Sequence, residues 1–125
     1  MGLYWNGIEI TAGMVLEVEE YNYEVRNSSG GRARVLWKVL GLDSKQGAEA
    51  YYEPATGKKY SMKKVLRRRA LAEKLRSGEV VQLPACSDFL VVEEFHDGKP
   101  AFKRCYSLDM LANIRSIRIV EGQQQ

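Results

Sequence analysis

The chain is poor in the residues that build metal and redox sites, with two cysteines and one histidine in 125 residues. Cys86, Cys105 and His96 stand at separations that match no zinc spacing. So few cysteines also exclude a disulfide-stapled framework, and the two thiols read as reduced and packed. A tight turn at Asp97-Gly98 sets Leu90 opposite Cys105, which leaves Cys86 about 13 Å further along its strand, beyond disulfide reach. No apolar run approaches the ~18 residues of a membrane span, and MGLYWNGIEI has neither a basic flank nor a signal-like stretch. The expectation is a cytoplasmic protein with no membrane partner. Met1-Gly2 fails the myristoylation pattern at Asn6, and the sequon Asn27-Ser28-Ser29 has no meaning without secretion.

Signs of catalysis are missing as well. There is no nucleophile elbow, Walker loop or glycine-rich dinucleotide turn. His96 sits beside the Asp97-Gly98 turn and reads as a solvated turn residue. The acids Glu19-Glu20 fall where an irregularity is expected and Glu93-Glu94 lie in a strand, so successive side chains diverge to opposite faces and make no shared site. The chain is expected to be a non-enzyme without cofactor or metal.

What is present is an ordinary globular composition, 45% hydrophobic and 28% charged, in a length that fits one domain over residues 1–120 with a frayed tail, 121–125. Asn6-Gly7 predicts a small hairpin with Trp5 beside Ile8. From Met14 the apolar residues alternate through Leu16 and Val18, then change parity to Tyr21, Tyr23 and Val25, which calls for a bulge or bend near Glu19-Glu20. Asn27 to Gly31 is a hairpin tip. Arg32 to Leu42 is a strand with Ala33, Val35, Trp37 and Val39 on one face, while Leu36 and Leu40 suggest that the other face is partly covered. A further hairpin turns at Pro54-Ala55-Thr56-Gly57 with Tyr51 facing Tyr60, so that the strands up to Tyr60 read as a meander.

Ser61 then caps a helix that Gly78 stops. Its apolar stripe is divided, because Met62, Val65 and Leu66 point one way while Leu71 and Leu75 point nearly opposite. The helix is therefore broken near Arg68 or Arg69, or else packed between two apolar surfaces, and the break is the favoured reading. Glu79 to Leu83 is a short strand stopped by Pro84. Phe89–Phe95 and Pro100–Tyr106 form a hairpin with Phe89, Val91 and Glu93 beside Phe102, Arg104 and Tyr106, followed by a short helix at 108–113 capped by Ser107 and a strand at 116–120. The joint Tyr60-Ser61-Met62 is echoed by Tyr106-Ser107-Leu108. The expected fold class is α+β: a strongly bent antiparallel sheet or SH3-like partial barrel, one main basic helix and a short C-terminal helix.

The charge is segregated. Between Pro54 and Gly78 stand Lys58, Lys59, Lys63, Lys64, Arg67, Arg68, Arg69, Lys74 and Arg76 against the single acid Glu73, giving 9 − 1 = +8 where the whole chain is only +3. A basic helix beside Tyr51, Tyr52 and Tyr60 suits nucleic acid, with cations on phosphates and rings on bases. Three arginines at 100° intervals cannot all meet one groove, however, and pairing with Glu17, Glu19 or Glu93 is the bland alternative. The other function class is a protein-interaction or inhibitor module, a homo-oligomer built on Leu71 and Leu75 and extended by Tyr4, Trp5 and Tyr21.

The run from Thr56-Gly57 through Tyr60, Leu66 and Leu71 to Ser77-Gly78-Glu79 resembles the strand, hairpin and helix modules at the N-termini of Mu-type and Tn7-type transposase proteins, over about a third of the chain. That resemblance implies an accessory nucleic-acid-binding role from a phage or mobile element. The spaced catalytic acids of that family have no room here. The opening strands also resemble SH3-like barrels, a fold with many functions.

Overall fold

Alternation of Met14, Leu16 and Val18 buries all three and makes the strand β3, Val15–Glu20, the inner wall of the larger core. The computed structural model describes residues 3–5, 7–45, 47–83 and 88–121, and over these the chain is a mixed α+β fold, mostly strand, with three antiparallel sheets and two helices. Pro84 and Cys86, expected as a strand stop and a packed thiol, lie outside the described residues, as do Asn6 and most of the expected tail. Among the described residues no helix is long and apolar enough to cross a membrane.

The hairpin of β1, Leu3–Trp5, and β2, Ile8–Ile10, forms with Trp5 opposite Ile8, as the sequence predicts. The main sheet has the order β10-β3-β4-β8-β9, with β4 spanning Val35–Ser44, β8 Asp88–His96, β9 Lys99–Ser107 and β10 Ile114–Glu121. A second sheet has the order β6-β5-β7, with β5 spanning Glu49–Glu53, β6 Lys58–Ser61 and β7 Val81–Gln82. The expected meander is therefore overturned twice, because β1-β2 is a separate sheet not joined to β3 and β4 does not pair with β5. Instead β4 pairs with β8, and the chain between them leaves the main sheet to build the second one and both helices.

Both faces of the main sheet are packed. One covers Ile10, Leu16, Trp37, Val39, Leu90, Val92 and Tyr106, with Trp37 stacked on Tyr106 at 4.9 Å between ring centroids. On the other, Phe89 and Val91 meet Tyr52, Val81 and Leu83 of the second sheet, with Leu40 and Cys105 packed beside them. Burial of all four residues from Phe89 to Val92 follows from this two-sided cover. Leu40 lies on the face opposite Val39 by ordinary alternation, and the register shift between Val39 and Gly41 then returns Leu42 to the first face.

Two local expectations are corrected and a third is met: the irregularity expected near Glu19-Glu20 is present as a turn after β3 and a register shift in the partner strand, where Ile114 faces Glu20 and Ser116 faces Glu19, and it leaves Tyr21 60% and Tyr23 44% exposed. In the β8–β9 hairpin a bulge sets Glu94 opposite Phe102 but Phe95 opposite Pro100, so Cys105 faces Val91 and not Leu90. That one-residue slip moves Tyr106 to the face of Leu90 and Val92, away from Phe89 and Val91. The segment Leu108–Asn113 is a 3-10 helix, and Ser107 makes no side-chain cap bond although its backbone, φ −70° and ψ 151°, repeats that of Ser61, φ −76° and ψ 158°.

The main helix is broken where the divided stripe requires. Helix α1 spans Met62–Arg67 and α2 spans Arg69–Ser77, with Arg68 between them in extended backbone, φ −114° and ψ 113°. Ser61 caps α1, its hydroxyl accepting from the Lys64 amide at 3.2 Å. Gly78 ends α2 in the left-handed region at φ 85°.

Candidate nucleic-acid interface

The site is built on a hairpin and a kinked helix, and one buried carboxylate joins them. Glu53, at the end of β5, is 3% exposed. Its Oε1 accepts from the Thr56 hydroxyl at 2.7 Å and the Tyr60 hydroxyl at 3.2 Å, and its Oε2 from Lys74 Nζ at 2.7 Å. The Lys74 bond and then the Thr56 bond hold the Glu53 carboxyl below its usual range, and Glu53 in turn raises Lys74. The turn, the far strand of the hairpin and α2 are thereby pinned to one point. Sequence reasoning missed Glu53, since an acid next to a turn proline looks solvated and its partners stand up to 21 residues away.

The nine cations then separate by role. Lys74 is committed to Glu53, and Lys59 Nζ meets the Ser44 carbonyl at 2.9 Å and Asp43 at 3.2 Å. Both hold the scaffold. Lys58, Lys63, Lys64, Arg67, Arg68, Arg69 and Arg76 are exposed, and none of them is in an ion pair among the described residues. The acids suggested as their partners are not engaged with them: Glu17 takes Arg34 and Arg118 instead. Beyond the basic segment Arg26, Arg32, Arg34, Arg104 and Arg118 are all paired. Lys63, Lys64, Arg67 and Arg68 converge with Ser61 on a depression of about 270 Å³ that no carboxylate lines.

The tyrosines fare differently. Tyr51 faces Tyr60 as expected, and both are half-buried. The Tyr60 ring carries Lys64 Nζ at 5.7 Å from its centroid, and burial, then its bond to Glu53, raises its hydroxyl pKa. Tyr52 is 5% exposed and packs edge-on against Phe89 at 5.0 Å, which removes it from any binding surface. Sequence alone could not place it, because Phe89 lies on another sheet.

Leu71 is 7% exposed, covered by its own chain, and Leu75 is half-buried along a groove with Val80, Val81 and Phe102. On the two helices the large apolar residues left uncovered are on α1, where Leu66 is 77% and Met62 51% exposed and Val65 is buried.

A second polar cluster was also unforeseen. Glu94, in β8 between Trp37 of β4 and Phe102 of β9, is fully buried. Trp37 Nε1 donates to its Oε1 at 3.0 Å and Arg104 at 3.3 Å, while His96 Nε2 lies 2.6 Å from Oε2. His96 is thus half-buried and partnered, where the sequence reads a solvated turn residue. A side chain that accepts from Trp37 and Arg104 and lies against the His96 ring nitrogen is well satisfied and locks the strands. Among the described residues, no group of three or more metal-ligating side chains occurs.

No protein-family model matches the chain, and no curated protein or solved structure matches it.

Proposed function

We propose that the protein is a small non-catalytic, cytoplasmic nucleic-acid-binding protein that holds phosphates on its hairpin and kinked helix. One observation carries this reading: seven of the nine cations in residues 58–76 are exposed without an ion-pair partner among the described residues and cluster on one hairpin and helix, whereas five of the ten cations elsewhere are paired. A cationic surface left uncompensated by its own fold is an electrostatic footprint for a polyanion. The resemblance of Thr56 to Glu79 to transposase N-terminal modules fits an accessory part of a phage or mobile element. For the scaffold, the reading is an SH3-like partial barrel, five antiparallel strands around one buried cluster with a 3-10 turn before the last strand.

A homo-oligomeric interaction or inhibitor module resting on Leu71 and Leu75 has less support, since Leu71 is already covered. Fluorescence anisotropy with labelled oligonucleotides across a salt series tests the proposal. Micromolar or tighter binding is expected, with log K falling by about 0.9 per phosphate neutralised on a duplex for each unit of log salt. Arg67→Glu, Arg68→Glu and Arg69→Glu together should abolish it. Absence of binding by the wild-type chain at low salt would remove the reading.

A further inference from the structure

Leu66 has no role in a purely electrostatic surface. A single exposed leucine is ordinary on a protein surface, but this one stands among cations, with Lys63 three residues before it, Arg67 beside it and Arg69 three residues after. At 77% exposure its side chain projects clear of the fold, and Met62, one turn back, is 51% exposed. None of the rings expected to stack on a single strand stands free, since Tyr52 is buried against Phe89, Tyr60 is half-buried beside Lys64 with its hydroxyl on Glu53, and Tyr51 is half-buried opposite Tyr60. A duplex asks for no stacking platform, because its bases already stack on one another. It offers phosphates to the cations and a groove to a projecting aliphatic chain, the kind of group that parts a base step and kinks the helix axis. A lipid surface fits less well, because six residues of α1 span only about 9 Å and present two apolar side chains where an interfacial helix presents a long apolar face.

We propose that this surface takes a nucleic-acid duplex, seated by its phosphates around Ser61, Lys63, Lys64, Arg67 and Arg68, with Leu66 entering the groove as a wedge that bends it. This inference rests on the nucleic-acid reading above and adds strand state, geometry and one residue to it. Leu66 is a positioning and bending contact, and the cations supply the affinity.

The test uses a duplex of about 20 base pairs, long enough to show a bend well inside the persistence length, with a donor and an acceptor at its ends, beside each of its single strands. Wild type and Leu66→Ala are compared at one salt concentration and then along a salt series. Roughly ten-fold tighter binding of the duplex than of either strand is expected, together with a rise in energy transfer on binding. Leu66→Ala should lose most of that rise while keeping the salt slope, and because the side chain is exposed its melting curve should match wild type. Either strand binding as tightly as the duplex would overturn the proposal, as would a bend that survives Leu66→Ala. No binding of duplex or strand at low salt overturns the nucleic-acid reading itself, and this proposal with it. Sedimentation with phosphatidylglycerol vesicles that depends on Leu66, without duplex bending, would assign the face to a lipid surface and also overturn it.

Discussion

Glu53 is nearly inaccessible yet accepts three hydrogen bonds, from Thr56, Tyr60 and Lys74, so its charge is compensated where it is buried. Because those bonds lower its pKa, the unfolded chain binds more protons than the folded one between the two values. The stabilisation is fully present above the ordinary carboxylate value of 4.5 and is lost as pH falls through the lower folded value. Glu53→Gln should therefore destabilise the protein by about 1–3 kcal/mol at neutral pH, with the difference shrinking in acid, as urea melts at pH 7 and pH 3 would show. The opposite sign holds at Glu20. Burial raises its pKa, outweighing the nearby Arg104, and its Oε2 is buried without a hydrogen-bond partner among the described residues. The folded state then holds the proton more tightly, so stability declines as pH rises from the ordinary value through the raised one. Glu20→Gln should remove that decline, and the melting temperature of the variant relative to wild type should climb with pH over that window.

At the scale of elements, the two sheets meet where Gly41 passes Tyr52. A Cβ on Gly41 would stand 2.6 Å from the Tyr52 hydroxyl and 3.2 Å from its ring edge, and Tyr52 is held by Phe89 on the far side. Gly41→Ala should cost about 1–3 kcal/mol by overpacking, and Tyr52→Phe in the same chain should recover part of it by removing the closest atom. Urea melts of the four members of that double-mutant cycle measure the coupling, and independent additive effects would contradict the contact. This junction shows what the sequence does and does not disclose. Elements with a local chemical signature were legible: the hairpins at Asp97-Gly98 and Pro54 to Gly57, the Ser61 cap, the Gly78 stop, and the break at Arg68 announced by a stripe that changes sides. Pairing partners were not. Bulges beside Gly41 and Phe95 each insert one residue, which reverses every later side chain without disturbing the hydrophobic alternation that a reader follows. The site divides the same way. Seven of the nine cations stay exposed as their composition suggests, but Lys59, Lys74 and Tyr52 are claimed by Asp43, Glu53 and Phe89, whose proximity is a property of the tertiary fold.

For the whole molecule, the question is what the +8 segment does to a protein whose remaining residues sum to −5. Like charges packed on a short hairpin and a kinked helix repel one another, and the fold relieves little of this because, among the described residues, it commits only Lys59 and Lys74 to acids. A nucleic-acid surface and a merely solvated basic face both contain exposed lysines and arginines, but they respond to substitution differently. If the exposed set meets phosphates, Arg67→Ala should leave the melting temperature unchanged and reduce the salt slope of duplex binding by about 0.9, the share of one phosphate contact. Lys74→Ala should do the reverse, lowering the melting temperature through the buried carboxylate it leaves without its ion pair while the slope stays as it was. Paired thermal melts and anisotropy titrations of the two variants place each cation on one side of that division. A slope that shifted equally for both would mean that charge acts on the polyanion only through its sum, and the separation between scaffold and contact lysines would fail. Because Lys74 and Arg67 carry the same charge only seven positions apart, the comparison isolates what the fold does with a cation from the cation itself.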